Sequence, residues 1–250
     1  MIYYFSGTGN SFDAARRLVG AEEEMISMAS LRTEETVTPE PAPGEPVGLV
    51  FPVYYGGLPS LVRDFARKLR FRETPAYLYA VITCGGQIFG AGAMLQKDLK
   101  DSGGTLKALF PLVMPDNYVI MYKLDSEEKR TACLAAAREE IRSIARRIEA
   151  RETTPVRGSG RDRAMTAMMY PLYERARRTR KFWVDDQCIG CAACVKRCPV
   201  GAMAMKDGRP AWILDRCVHC LSCVRCGAIQ YGKSTVGRER YTNPVLKSCH

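Results

Sequence analysis

The chain has 250 residues, 46% hydrophobic and 26% charged, a globular balance that excludes wholesale disorder and collagen-like character. The length suits one or two domains, and no apolar run approaches the roughly 18 residues of a membrane span. The net charge of +10 is uneven: residues 1–150 hold 18 Lys/Arg against 19 Asp/Glu, and residues 151–250 hold 19 against 8. A basic half suits nucleic acid or a membrane surface, and it equally suits bound anionic groups.

In chain order, residues 1–5, 47–54, 76–84 and 105–114 read as buried strands, with 25–28 as a short extra one. The opening MIYYFS has neither a basic n-region nor a small-residue cleavage site, so a mature cytoplasmic start is expected. Helical spacing falls at 10–20, 58–70 and 91–102. A longer helix is expected over 126–151, opened by Ser126 with acids behind it and closed by basic residues. This alternation predicts an α/β unit: a parallel sheet with helices on both faces. Residues 151–163 read as a linker. Residues 164–183 mix Met165, Met168, Met169, Leu172 and Tyr173 with Arg175, Arg177, Arg178, Arg180 and Lys181. They read as a connecting helix with a solvated basic face, or as a surface for an acidic partner. The resulting division is 1–150, a basic connector over 151–181, and a cysteine-rich unit over 182–250.

Three loops at strand ends carry the first chemistry. Ser6-Gly7-Thr8-Gly9-Asn10-Ser11 follows a strand and opens a helix. Glycines allow a tight turn, hydroxyls donate, and the helix N-terminus supplies free N–H groups, which together cradle a phosphate. No Lys follows, so it is not a Walker loop, and Phe12 stands where a dinucleotide fingerprint needs its third glycine. Binding by neutral donors suits a mononucleotide. Strand 47–54 runs into Pro52, Tyr54, Tyr55, Gly56 and Gly57, and strand 76–84 into Thr83, Cys84, Gly85 and Gly86. In a doubly wound sheet these loops lie where ligands bind. Cys84 also suits a plain buried apolar position. Met114–Tyr118 follows the next strand, and no physical argument assigns it a role.

The first loop resembles the phosphate loop of flavodoxins, S/T-x-T-G-x-T, with Ser11 in place of the last Thr. The resemblance implies bound FMN and a sheet in the order 2-1-3-4-5. It also implies a glycine of the Gly56–Gly57 loop at the flavin N5 and the Thr83–Gly86 loop on the pyrimidine edge.

Eleven cysteines would suit a secreted disulfide scaffold, yet eight of them crowd between Cys188 and Cys226. Cys188, Cys191, Cys194 and Cys198 follow C-x2-C-x2-C-x3-C with Pro199 next. A structural zinc takes two pairs, whereas a third Cys at this spacing serves a cubane. A second copy follows 29 residues later as Cys217, Cys220 and Cys223, but it reaches Cys226 one residue early and has no proline. In two-cluster ferredoxins the fourth Cys of a motif ligates the other cluster. The expected sets are Cys188, Cys191, Cys194 and Cys226, and Cys217, Cys220, Cys223 and Cys198. Three outcomes stay open for the shortened motif: a stretched loop that keeps the ligand, a three-iron or labile cluster, or one cluster only. Cys249 substitutes only if the tail folds back. His219 aligns with Gly190 and reads as a loop-surface residue, and His250 tells nothing.

Together the halves resemble the flavodoxin–ferredoxin fusion family of anaerobic bacteria and archaea, with matching segments from Phe5 to Tyr241. The resemblance implies a flavodoxin-like doubly wound parallel sheet followed by a small bacterial-type two-[4Fe–4S] ferredoxin domain. It implies electron transfer between two [4Fe–4S] clusters and FMN, and exchange with a low-potential external redox partner. An FMN-dependent reductase of a small acceptor such as a quinone is the first alternative, although no His or isolated acid near the flavin loops announces a proton donor. An iron–sulfur sensing protein is the second. Nucleic acid is not expected, because no recognition motif accompanies the charge.

Overall fold

The computed structural model describes residues 1–20 and 23–246; Cys249 and His250 lie outside the described residues. Five strands form one parallel sheet: β1 (Ile2–Tyr4), β2 (Met25–Ser27), β3 (Val47–Pro52), β4 (Leu78–Cys84) and β5 (Leu106–Val113), in the order β2-β1-β3-β4-β5. That is the order expected. Register pairs Tyr3 with Leu49, Leu49 with Ala80, and Ala80 with Leu109. Strands β3 and β4 are buried along almost their whole length, as a sheet covered on both faces requires. At the edge, β5 alternates buried and exposed positions and tolerates Pro111.

Helices cover both faces. On one face α2 (Ser60–Lys68) and α3 (Ala91–Asp98) bury Leu61, Val62, Phe65, Ala91 and Leu95 against Tyr3, Leu49, Phe51 and Ile82. On the other, α1 (Asn10–Leu18) and α4 (Glu127–Glu149) pack Ala14, Ala15, Leu134, Ile141 and Ile144 against Ile2, Val50, Val81 and Phe110. Ser126 caps α4, its side chain accepting from Lys129 N.

The connector differs from its sequence reading. Helix α5 (Gly160–Ala176) starts inside the expected linker, because Ser159 and Asp162 form a reciprocal capping box. It lies on the sheet unit: Tyr170 OH donates to Leu58 O at 2.7 Å, and Tyr173 OH accepts from Ser60 N at 2.9 Å.

The C-terminal unit is built on two small sheets. Strand β6 (Phe182–Val184) pairs antiparallel with β9 (Ile229–Tyr231). Between them lie a short helix α6 (Ala193–Lys196) and a hairpin of β7 (Met203–Lys206) and β8 (Arg209–Trp212). The hairpin turns through Asp207 and Gly208, both with positive φ, as a two-residue loop demands. Its core is shared with the sheet unit. Val119, from the loop after β5, is buried with Phe182, Leu221 and Tyr231, and Val218 from the second cysteine loop is buried in the sheet's own core. Among the described residues no helix is long and apolar enough to cross a membrane.

Candidate functional site

The loops at the carboxyl ends of β1, β3, β4 and β5 enclose a cavity of about 380 Å³. Within them, Ser6, Gly7, Thr8, Asn10, Ser11, Pro52, Tyr54, Tyr55, Gly56, Thr83, Cys84, Gly85 and Gly86 line it. Two candidate residues do not. Gly57 turns toward α5, where the Tyr170 ring stands 2.4 Å from the position a Cβ would take. Gly9, at φ +106°, faces Asn243 and Leu246 of the tail.

The first loop keeps donors open. Gly9 caps α1 with no side-chain hydrogen bond, so no capping side chain occupies the first-turn N–H groups. Ser6 Oγ accepts from Gly9 N at 3.1 Å, and Ser11 Oγ pairs with Thr83 Oγ1 at 2.7 Å. The segment after β5 now has a role. Asn117 donates to Thr8 Oγ1 at 2.6 Å, Asn10 donates to Pro115 O at 3.0 Å, and Asp116, Asn117 and Tyr118 line the cavity. The tail closes the loop from outside: Tyr241 OH and Asn243 Nδ2 donate to Asn10 Oδ1 at 2.7 and 3.1 Å. At the second loop, Tyr54 and Gly57 exchange two backbone hydrogen bonds at 2.9 Å around Tyr55 and Gly56, both with positive φ. Thr166 of α5 holds that loop, donating to Gly56 O and accepting from Gly90 N.

The cavity is closed by parts of the chain far from the strand ends. Met169 and Leu172 of α5 form one wall, and His219, Cys220 and Leu221 of the second cysteine loop form another. A Cβ built on Gly7 would meet Cys220 O at 2.4 Å and Cys220 Cβ at 2.9 Å, so the two loops are in direct contact.

The cysteines fall into two groups. Burial pushes the Cys217 thiol up to about 11 and the Cys220 thiol up to about 12, and it raises Cys223 as well. After burial, the groups that raise them include one another and Cys198. These four line one apolar pocket with Phe182, Met203 and Trp212. Cys194 is raised by burial and then by Cys226 and Cys188. Cys191 and Cys226 are exposed. Among the described residues no three His, Cys, Asp or Glu side chains converge to hold a single metal ion. A cubane spreads its thiolates around four irons instead.

The two loops repeat in backbone as well as sequence. Gly190 and Ala192 have positive φ in the first, and His219 and Leu221 have it in the second, each pair 29 residues apart. Alternating handedness turns successive N–H groups inward, a nest for anionic sulfur. Ala202 N donates to Cys198 Sγ and His219 N to Cys217 Sγ, both at 3.2 Å.

His219 corrects the sequence reading. It is not on the surface: it is 4% exposed, packed among the rings of Tyr118, Phe182 and Tyr231. Desolvation lowers its pKa to about 4. Its Nε2 lies 3.0 Å from Tyr118 OH, which also meets Tyr55 OH. The statement that no His or acid stands near these loops falls with it, since His219 and Asp116 both line the cavity. The rings around His219 come from three separate segments, and no local pattern marks them. The basic segment is also partly committed: Arg177 binds Cys217 O and Glu174, while Arg175, Arg178, Arg180 and Lys181 are exposed.

A family model described as a 4Fe-4S dicluster domain matches residues 181–226. No curated protein matches the chain. Among solved structures, that of the Trp repressor binding protein from Bacillus subtilis is similar at 12% identity and a TM-score of 0.32, over 56% of this chain and 96% of that one. That likeness is too distant to bear on the fold. The chain therefore joins a parallel five-stranded α/β unit to a C-terminal 4Fe–4S ferredoxin-type domain. An iron–sulfur dicluster domain gives the protein an electron-transfer role in general terms.

Proposed function

We propose that the protein is an intramolecular redox relay in which the cavity holds FMN and the cysteines hold two [4Fe–4S] clusters. One observation carries the reading: Cys220 stands in the pocket of the four half-buried cysteines and in the cavity wall, against Gly7 of the first loop. When bound, FMN exchanges one or two electrons and each cluster exchanges one. The first-turn N–H groups of α1, with Ser6, Thr8 and Ser11, hold the phosphate without a cation. Gly56, Gly85 and Gly86 let backbone approach the ring, and Tyr55 and Tyr118 border it.

The cysteine sets also give the relay a direction in space. Cys217, Cys220, Cys223 and Cys198 hold the inner cluster beside the cavity. Cys188, Cys191, Cys194 and Cys226 hold an outer one, with Cys191 and Cys226 at the surface. A low-potential redox protein meets the outer side, and the exposed Arg175, Arg178, Arg180 and Lys181 suit an acidic one.

The test is cofactor stoichiometry on anaerobically purified protein. The expected result is about eight irons, matching sulfide and one FMN per chain. Zinc without iron, or no flavin on reconstitution, would refute the relay. A second reading, an FMN-dependent reductase of a small acceptor, gains support from His219, Tyr118, Tyr55 and Asp116 in the cavity. Steady-state turnover of a quinone that collapses in Tyr55→Phe would favour it over the relay.

A further inference from the structure

One buried polar atom has no role in the relay as drawn so far. His219 stands in the wall between the inner cysteine pocket and the cavity. Its Nε2 is matched to Tyr118 OH at 3.0 Å. Its Nδ1 is buried and has no hydrogen-bond partner. A buried polar atom left without a partner is costly and rare, and it calls for a group that meets it.

The backbone adds a second observation. His219 sits at φ +57°, where the first repeat places Gly190. A left-handed conformation strains a side chain in a way that glycine avoids. The second loop therefore carries an imidazole at a position whose backbone favours glycine.

We propose that His219 is a positioning residue shared by the two redox sites: Nδ1–H donates to a sulfur of the inner cluster while Nε2 accepts from Tyr118 OH. The inference rests on the relay reading. A cluster of thiolates and sulfides is anionic and accepts hydrogen bonds only. It therefore selects the tautomer with the proton on Nδ1. That leaves Nε2 as an acceptor, so Tyr118 donates to it, and Tyr55 in turn donates to Tyr118. The result is one hydrogen-bonded line from the cavity face to the cluster. It fixes the distance between the sites and raises the inner cluster's potential, because hydrogen bonds to sulfur stabilise the reduced state.

The experiment is an anaerobic redox titration followed by electron paramagnetic resonance, with iron and flavin counted for each protein. The variants are His219→Phe, His219→Asn and Tyr118→Phe. His219→Phe is expected to lower the potential of one cluster and leave the other in place. His219→Asn, which keeps a donor, is expected to restore part of the shift. Tyr118→Phe leaves Nε2 without its donor, which makes Nδ1–H a weaker donor to sulfur, and is expected to move the same cluster in the same direction by less. Two unshifted clusters in a fully loaded His219→Phe protein would overturn the proposal. So would a shift confined to the flavin, which would place Nδ1 on the other side of the wall. If His219→Phe loses iron, Tyr118→Phe decides alone, and unchanged cluster potentials there overturn it. Wild-type protein without flavin would sink the relay and leave the cluster comparison standing.

Discussion

The contact between the first loop and the second cysteine loop gives the sharpest stability test. Gly7→Ala would set a Cβ 2.4 Å from Cys220 O, where ordinary contact begins at 3.4 Å. One loop must retreat by about 1 Å. Neither is free to do so. Phe5 N binds Val50 O at 2.9 Å and Asn243 N binds Thr8 O at 2.9 Å on one side. On the other, Val218 is 1% exposed and its carbonyl accepts from Tyr173 OH at 3.0 Å. Forcing an extra methyl into packing of this kind costs about 1–3 kcal/mol. Urea unfolding under anaerobic conditions, followed by intrinsic fluorescence, should show a lower midpoint with an unchanged slope. Flavin affinity should fall by roughly tenfold for each 1.4 kcal/mol that the bound loop loses. Gly86→Ala is the control for the unfolding midpoint alone, since a Cβ there meets no protein atom within 4 Å. A Gly7→Ala protein with the wild-type midpoint and flavin affinity would show that the two loops do not touch.

Other expectations follow from the same contacts. Thr166→Val leaves Gly56 O and Gly90 N buried without their partner, and a loss of about 1–3 kcal/mol in thermal or urea unfolding is expected. Asn243→Ala removes one of the two donors to Asn10 Oδ1; it should weaken phosphate-end binding, seen as lower affinity for FMN with little change for riboflavin. Cys226→Ser should cost about four irons while flavin is retained, because the exposed outer site stands away from the cavity. Cys220→Ser should lose iron and disturb flavin binding together, because one residue serves both walls.

The sheet was legible because its signals are local. Buried strands such as 78–84 read as apolar runs, and helices between them repeat every three to four residues. The cysteine spacing was legible for the same reason. What escaped reading depends on partners far along the chain. His219 is buried by Tyr118, Phe182 and Tyr231, and nothing in the residues around it encodes that. Met114–Tyr118 borders the cavity because Asn10 and Thr8, more than 100 residues earlier, hold it. The start of α5 was missed for a different reason: Ser159 and Asp162 form a recognisable cap, but the glycines beside them read as a linker.

The clasp of Tyr241 and Asn243 on Asn10 spans 231 and 233 residues. A ribosome adding about 5–20 residues per second takes roughly 10–50 s to make that stretch. Throughout that time the first loop lacks this clasp. The clasp thus closes only when nearly all of the chain has been made: a segment from its start is fastened by one from near its end. A chain halted before Tyr241 lacks both donors to Asn10 Oδ1.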